Sequence, residues 1–165
     1  MGTYTRVSRM TDKNGVTDAY IAFTVAGSVY ALRSADVLHV EMIEHVTRVP
    51  NAAPFVDGVV FSRGQVVPAV NLRSRFGFDR TPYDVRTRLV VVQFGGRQVG
   101  LVVDESREFL RIPETALQPM QESVSGTSGR YIQKIASLQN RLILILQLEE
   151  LMNFAEPLIA VESGD

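Results

Sequence analysis

The stretch Gly58-Val59-Val60-Phe61-Ser62-Arg63-Gly64-Gln65-Val66-Val67-Pro68-Ala69-Val70-Asn71-Leu72 decides the fold. Two apolar runs rich in β-branched residues flank the turn pair Arg63-Gly64, the pattern of an antiparallel hairpin. The pattern returns in weaker form as Ile135-Ala136-Ser137-Leu138-Gln139-Asn140-Arg141-Leu142-Ile143-Leu144-Ile145-Leu146-Gln147-Leu148. A hairpin that occurs twice points to a duplicated all-β module, with an arginine on the exposed turn of the first copy.

Working outward, Tyr20 to Val25, the turn Ala26-Gly27-Ser28 and Val29 to Leu32 read as another hairpin, and Leu89 to Phe94, Gly95-Gly96 and Gln98 to Val103 mirror it. Placing Gly96 on Gly27 sets Val92 on Phe23, Val99 on Tyr30, Gly100 on Ala31 and Leu101 on Leu32. Arg111-Ile112-Pro113 is then matched with Arg48-Val49-Pro50, Tyr131-Ile132 with Phe55-Val56, and Leu142 to Leu148 with Val66 to Leu72. Leu148 to Asn153 stands where Leu72 to Gly77 stood. Matching blocks in one order argue for internal duplication. Val37, Val40, Ile43, Val46 and Val49 recur at every third position, a spacing shared by helix and strand. Their β-branching and the Val49-Pro50 step favour a bent strand. Ala53 to Val56 reads as one short helical turn, Arg73 to Phe78 as a short helix ended by Gly77, and residues 81–86 as a linker.

Each half therefore carries about five strands, which close best into a small barrel without exposed edges. A half of about 65 residues buries too little surface to be comfortable alone. The unbroken apolar runs Leu89 to Val92 and Leu142 to Leu146 predict strands buried on both faces, with Leu144, Ile145 or both almost fully buried. The expected architecture is two pseudo-symmetric five-stranded β-barrels, roughly 19–86 and 87–154, intertwined on a shared hydrophobic core, with short helical turns. Residues 1–18 and 155–165 are polar and read as flexible tails.

Composition narrows the function. The 165 residues are 45% hydrophobic and 21% charged, with a net charge of −1. Nothing global points to nucleic acid. The absence of cysteine removes disulfides, thiolate metal sites and a cysteine nucleophile. No apolar leader opens the chain, and Leu142 to Leu146 is far shorter than the roughly 18 residues of a membrane helix. A soluble, cytoplasmic protein without direct membrane insertion is expected.

The candidate chemistry is sparse. His39-Val40-Glu41 spells the His-x-Glu of zinc deaminases but lacks their cysteines, so an exposed ion pair or partner contact is the better reading; no metal is expected. His45 has no companion at ligand spacing. Gly95-Gly96 precedes no helix and is a turn, not a phosphate loop. Ser125 to Gly129 does not spell a nucleophile elbow. Arg63, Arg73, Arg75, Arg80, Arg86 and Arg88 meet only Asp79 and Asp84 nearby, a local basic patch that an acidic protein surface or RNA could meet. Asp104 is read as ordering the turn that follows it. No convergent catalytic set or cofactor site emerges, and an enzyme is not expected. A β-barrel binding small molecules or oligonucleotides is the alternative.

The ordered set Tyr30-Ala31-Leu32, Val49-Pro50, Pro54 to Gly58, Arg63 to Pro68, Leu72-Arg73, Gly100 to Asp104, Tyr131-Ile132 and Leu142 to Leu151 resembles the CheW-like adaptor domains of bacterial chemotaxis, over roughly residues 18–154. The resemblance implies two SH3-like barrels without an active site: a scaffold coupling methyl-accepting chemoreceptors to a CheA-type histidine kinase, in chemotaxis or surface motility, associated with receptor arrays. It implies a kinase regulatory domain docking at Val37, His39, Glu41, Gly58 and Val60, and a cytoplasmic receptor tip in a groove that includes Arg63, Arg88, Leu101 and Phe109. Against the family pattern, Phe61-Ser62 replaces Asn-Leu, Asn71 an aspartate, Lys134 a glycine and His39 an acidic residue.

Overall fold

A computed structural model of the chain describes residues 9–12, 15–120, 129–154 and 158–159. The strands are β1 (Arg9–Asp12), β2 (Gly15–Val25), β3 (Ser28–Arg33), β4 (Val37–Met42), β5 (Val56–Ser62), β6 (Gln65–Asn71), β7 (Arg88–Phe94), β8 (Arg97–Val103), β9 (Glu105–Pro113), β10 (Leu117–Pro119), β11 (Ile132–Leu138) and β12 (Arg141–Leu146). Two single-turn helices follow the closing strands: α1 (Leu72–Arg75) and α2 (Leu148–Leu151).

The repeats exchange hairpins. One sheet runs β4-β7-β8-β6-β5, and in the other β2 and β3 sit between β9 and β12-β11-β10, with β1 flanking β2. Each sheet thus takes its central hairpin from one repeat and its outer strands from the other. The registers match across the duplication: Ala69 pairs with Gly100 in parallel, and Ile145 pairs with Ala31. The Asn71 N–H donates to the Phe55 carbonyl at 2.7 Å and the Gln147 N–H to the Tyr131 carbonyl at 2.8 Å, the same bond in each repeat. The Arg111 block is matched differently in space. Arg111 faces Ala19, and the equivalent of Ala19 is Arg88, which faces Met42. Arg111 therefore corresponds to Met42 rather than Arg48; two apolar β-type segments ending in proline had matched by pattern alone.

Both sheets curl closed. In the first, the chain beyond β4 bends back so that Thr47 bridges Val59. In the second, β9 continues through the turn Glu114–Ala116 into β10, which pairs with β11. The two-residue period then sorts the core into three parts. Val60, Val67, Ala69, Leu89, Val91 and Val102 fill one barrel. Tyr20, Ala22, Ala31, Ile112, Ala136, Ile143 and Ile145 fill the other. The alternate residues, among them Phe23, Tyr30, Leu32, Val90, Val92, Leu101 and Leu146, form the seam between the barrels, with Leu72, Phe76 and Leu151 of the helical turns. Leu89 to Val92 are fully buried on both faces as expected; Ile145 is buried, Leu144 only half-buried and Leu142 exposed.

The ends differ from the expected tails where they are described. β2 begins at Gly15, Thr17 is buried, and β1 pairs back along β2. Backbone pairing needs no apolar side chain, so polar composition concealed these strands. Leu158 and Ile159 return to the first repeat, where the Ala53 N–H donates to the Leu158 carbonyl at 3.0 Å and Ile159 bridges Ala52.

Candidate functional site

The β5–β6 hairpin and β4 build an exposed apolar surface on the first barrel. The two-residue turn Arg63-Gly64 sets the register, with Ser62 opposite Gln65 and Phe61 opposite Val66. In that register Val60 and Ser62 point inward while Phe61 and Val66 point out, 72% and 65% exposed. Met42, also exposed, joins them around a shallow groove lined by Glu41, Glu44, His45 and Thr47. The alternation of this hairpin contains the signal for the Phe61–Val66 pair, once the two-residue turn fixes the register. Arg63 occupies the left-handed region at φ 48° and has no ion pair among the described residues.

Of the residues expected on the kinase side, β4 does not present Val37, His39 and Glu41 on one face. A bulge at Leu38 sets Val37 opposite Val92 but His39 opposite Val91 and Glu41 opposite Leu89. Val37 therefore packs on the seam, while His39 and Glu41 turn toward the barrel interior. His39 is no exposed contact: its side chain is 11% accessible, and its Nε2 lies 2.6 Å from Glu41 Oε2 and 3.1 Å from the hydroxyl of buried Ser62. Ser62 Oγ donates to the same carboxylate oxygen at 2.7 Å. A carboxylate only accepts, so Nε2 carries the proton. Val60 is buried inside the barrel, and Gly58 is buried against the backbone of Thr47. Neither offers a side chain to a partner.

Serine, histidine and glutamate in contact invite comparison with a hydrolytic triad, and the geometry rejects it. In a triad the carboxylate holds Nδ1 and the serine faces Nε2. Here both sit on Nε2, the serine gives its proton to the carboxylate, and its hydroxyl is buried. The cluster ties β4 to β5 across the barrel. His39→Glu is accordingly expected to cost about 1–3 kcal/mol at pH 7, by setting two carboxylates together and losing a charge-assisted bond. Urea unfolding at pH 7 checks this; equal stability of variant and wild type would refute it.

The residues expected in the receptor groove do not share one surface. Leu101 is fully buried in the seam. Arg88 donates to the carbonyls of Val85 and Thr87 in its own loop. Phe109 is exposed on β9, on the opposite barrel from Arg63.

The basic patch dissolves into pairs. Arg73 chelates Asp104 through Nε and Nη2, and the other duty of Asp104 is to accept from the Ala26 N–H at 2.8 Å. Asp104 thus knits α1 to both central hairpins. Arg80, just before the linker, and Tyr83 within it close on Asp57, which also accepts from Asn71 Nδ2 at 2.8 Å. An aspartate at position 71 would repel Asp57, whereas Asn71 donates to it and still caps α1 through the Ser74 N–H. Burial first, and donation to Asp57 second, raise the Tyr83 pKa above its ordinary value. Arg86 pairs with Asp84. Arg75 lies 4.6 Å from the ring centres of Phe55 and Phe154 and donates to the carbonyls of Leu151 and Asn153. Burial lowers its pKa. Arg86 finds its partner two positions away, but the partners of Arg73, Arg75 and Arg80 lie 23 to 78 positions away in the chain, beyond the reach of local pattern. Among the described residues no cluster of three or more His, Asp or Glu could hold a metal. Residues 125–128 lie outside the described residues.

Two closed barrels with a shared seam, an exposed aromatic hairpin and, on its turn, an arginine without an ion pair among the described residues define a two-barrel module built for docking. Comparison with known proteins agrees. The family model of the CheW-like domain matches residues 19–156, and the chain belongs to that family. It is 28% identical over 137 residues to the chemotaxis protein CheW of Klebsiella aerogenes, covering 83% of this chain and 82% of that protein. It is 30% identical over 133 residues to CheW of Helicobacter pylori, covering 81% and 80%. The crystal structure of the scaffolding protein TtCheW from Thermoanaerobacter tengcongensis has a TM-score of 0.77 and 26% identity, covering 86% of this chain and 96% of that one.

Proposed function

We propose that this chain is a non-enzymatic adaptor that couples chemoreceptors to a CheA-type histidine kinase in bacterial chemosensory signalling. The observation that carries the reading is the extent of the family match, which spans both barrels and the seam. The physical mechanism is bivalent docking. Two surfaces on one rigid body hold a kinase regulatory domain and a receptor tip together and raise their effective concentration. Three sheet-lined cores fix the barrels relative to each other, so the spacing of the two surfaces is set by the fold. No helix among the described residues is long and apolar enough to cross a membrane; the site of action is the cytoplasmic side of receptor arrays. The oligonucleotide-binding alternative loses its support with the pairing of Arg73, Arg80 and Arg86.

On the kinase side the contact surface is carried by exposed Met42, Phe61 and Val66 rather than by His39 or Val60. Arg63, exposed and without an ion pair among the described residues, offers a cation to the partner beside them. Replacing Arg63 by alanine keeps the same backbone strain and Cβ, so stability is expected to change by less than about 0.5 kcal/mol. Co-sedimentation of kinase with receptor-tip assemblies should nevertheless fall. An Arg63→Ala protein that couples at wild-type level removes Arg63 from the interface. Failure of the wild-type chain to bind either partner overturns the adaptor reading itself.

A further inference from the structure

Beyond α2, Leu158 and Ile159 bridge back to the loop between β4 and β5. The Ala53 N–H donates to the Leu158 carbonyl at 3.0 Å, and Ile159 bridges Ala52 in antiparallel sense. Phe154 stacks on Phe55 at 5.3 Å between centroids, and Arg75 lies against both rings while holding the Asn153 carbonyl at 3.0 Å. Leu158, Phe154, Ala52, Ala53 and Phe55 all pack on the edge of the seam core.

We propose that the Ala52–Ala53 edge and the Phe55–Arg75 platform form a binding site for an extended apolar peptide, filled in cis by the chain's own Phe154, Leu158 and Ile159. The receiving loop is built for a short strand. Pro50 and Pro54 bracket it, and neither has an N–H to continue a ladder. Asn51, at φ 62°, turns the chain so that Ala52 and Ala53 present their backbone edge. Their methyl side chains leave room for an aliphatic residue above the seam. The ligand class follows: an extended segment with an aromatic residue four positions before an aliphatic pair, as Phe154 stands before Leu158-Ile159. Strand addition supplies affinity through the backbone and selectivity through the pockets. Phe154, Leu158 and Ile159 are only half-buried, and partly buried groups at the edge of a core open locally without global unfolding. This site is separate from the Phe61–Arg63 hairpin and stands whether or not the adaptor reading holds.

The test uses the full chain carrying Leu158→Asp, which expels the resident strand, and a fluorescein-labelled peptide of wild-type residues 154–165. The variant should bind this peptide saturably, and the wild-type chain at least tenfold more weakly. The same peptide carrying Leu158→Asp should bind neither. Amide exchange at Ala53 should be at least tenfold faster in the variant, while the amide of Val90 in the seam keeps its rate. Ile159→Asp provides the same readouts if Leu158→Asp lowers global stability in urea. Unchanged exchange at Ala53, or faster exchange without peptide binding, overturns the proposal.

Discussion

Replacing Gly58 by alanine is expected to destabilise the protein by about 3 kcal/mol or more, or to prevent folding. Gly58 has φ 150°, and a Cβ there would sit 2.2 Å from the carbonyl oxygen of Thr47 and 2.8 Å from its carbon. Thr47 cannot retreat, because it exchanges both backbone bonds with Val59 at 2.9 and 2.8 Å, the bridge that closes the barrel. The clash therefore reopens the barrel at the backbone bridge between the chain beyond β4 and β5. Gly64 is the control. Its φ is 84° with open space around the missing side chain, so Gly64→Ala carries backbone strain alone, about 1–2 kcal/mol. Urea denaturation of both variants separates the effects; a Gly58→Ala loss no larger than that of Gly64→Ala would show that β4 and β5 can part without cost. Any docking defect of a Gly58 variant is then a defect of barrel closure.

Leu101→Ala should cost about 2–5 kcal/mol, from lost burial and the cavity left behind. Leu101 is fully buried on the seam side of β8, in register with Val90 on β7 and Val70 on β6. Its neighbours are held by two barrels at once, so the site collapses poorly. Leu142→Ala, on the exposed side of β12, should change stability by less than about 0.5 kcal/mol. A Leu101→Ala loss below about 1 kcal/mol, at unchanged denaturant slope, would mean that the barrels adjust independently and that the seam is not a rigid junction. The slope is needed because a change in it would report altered compactness instead.

The residues that were legible in the sequence are those governed by a local period. The β5–β6 and β7–β8 hairpins, the short helices after Asn71 and Gln147, and the double burial of Leu89 to Val92 all follow from alternation and turn chemistry within a few positions. Gly77 ends α1 with φ 90°, as its position implied. The bulge at Leu38 left no mark, since one unpaired residue changes no composition; yet it moves Val37 to the seam and turns His39 inward. β1 and the pairing of Leu158-Ile159 escaped because polar or very short strands are specified by their partners' backbone. The candidate site suffered most from this. Val60 and Leu101 are apolar residues at alternating positions, and their inward phase shows only once the register of the whole sheet is known. Phe61 shows the converse: a large aromatic read as part of an apolar run faces solvent.

The exchange of central hairpins sets the order in which the chain can become protein as it leaves the ribosome. The first repeat has no complete sheet while it is alone: β4, β5 and β6 wait for β7 and β8, which end at Val103. The hairpin of β2 and β3, made first, waits longer, since β12 ends only at Leu146. For most of synthesis the nascent chain therefore holds an apolar hairpin with one edge unpaired, Tyr30-Ala31-Leu32, until almost the last residues of the fold arrive. Such long-range closure makes for slow folding, and it gives the emerging chain a stretch that a chaperone, or a neighbouring nascent copy, can reach before its own partner does.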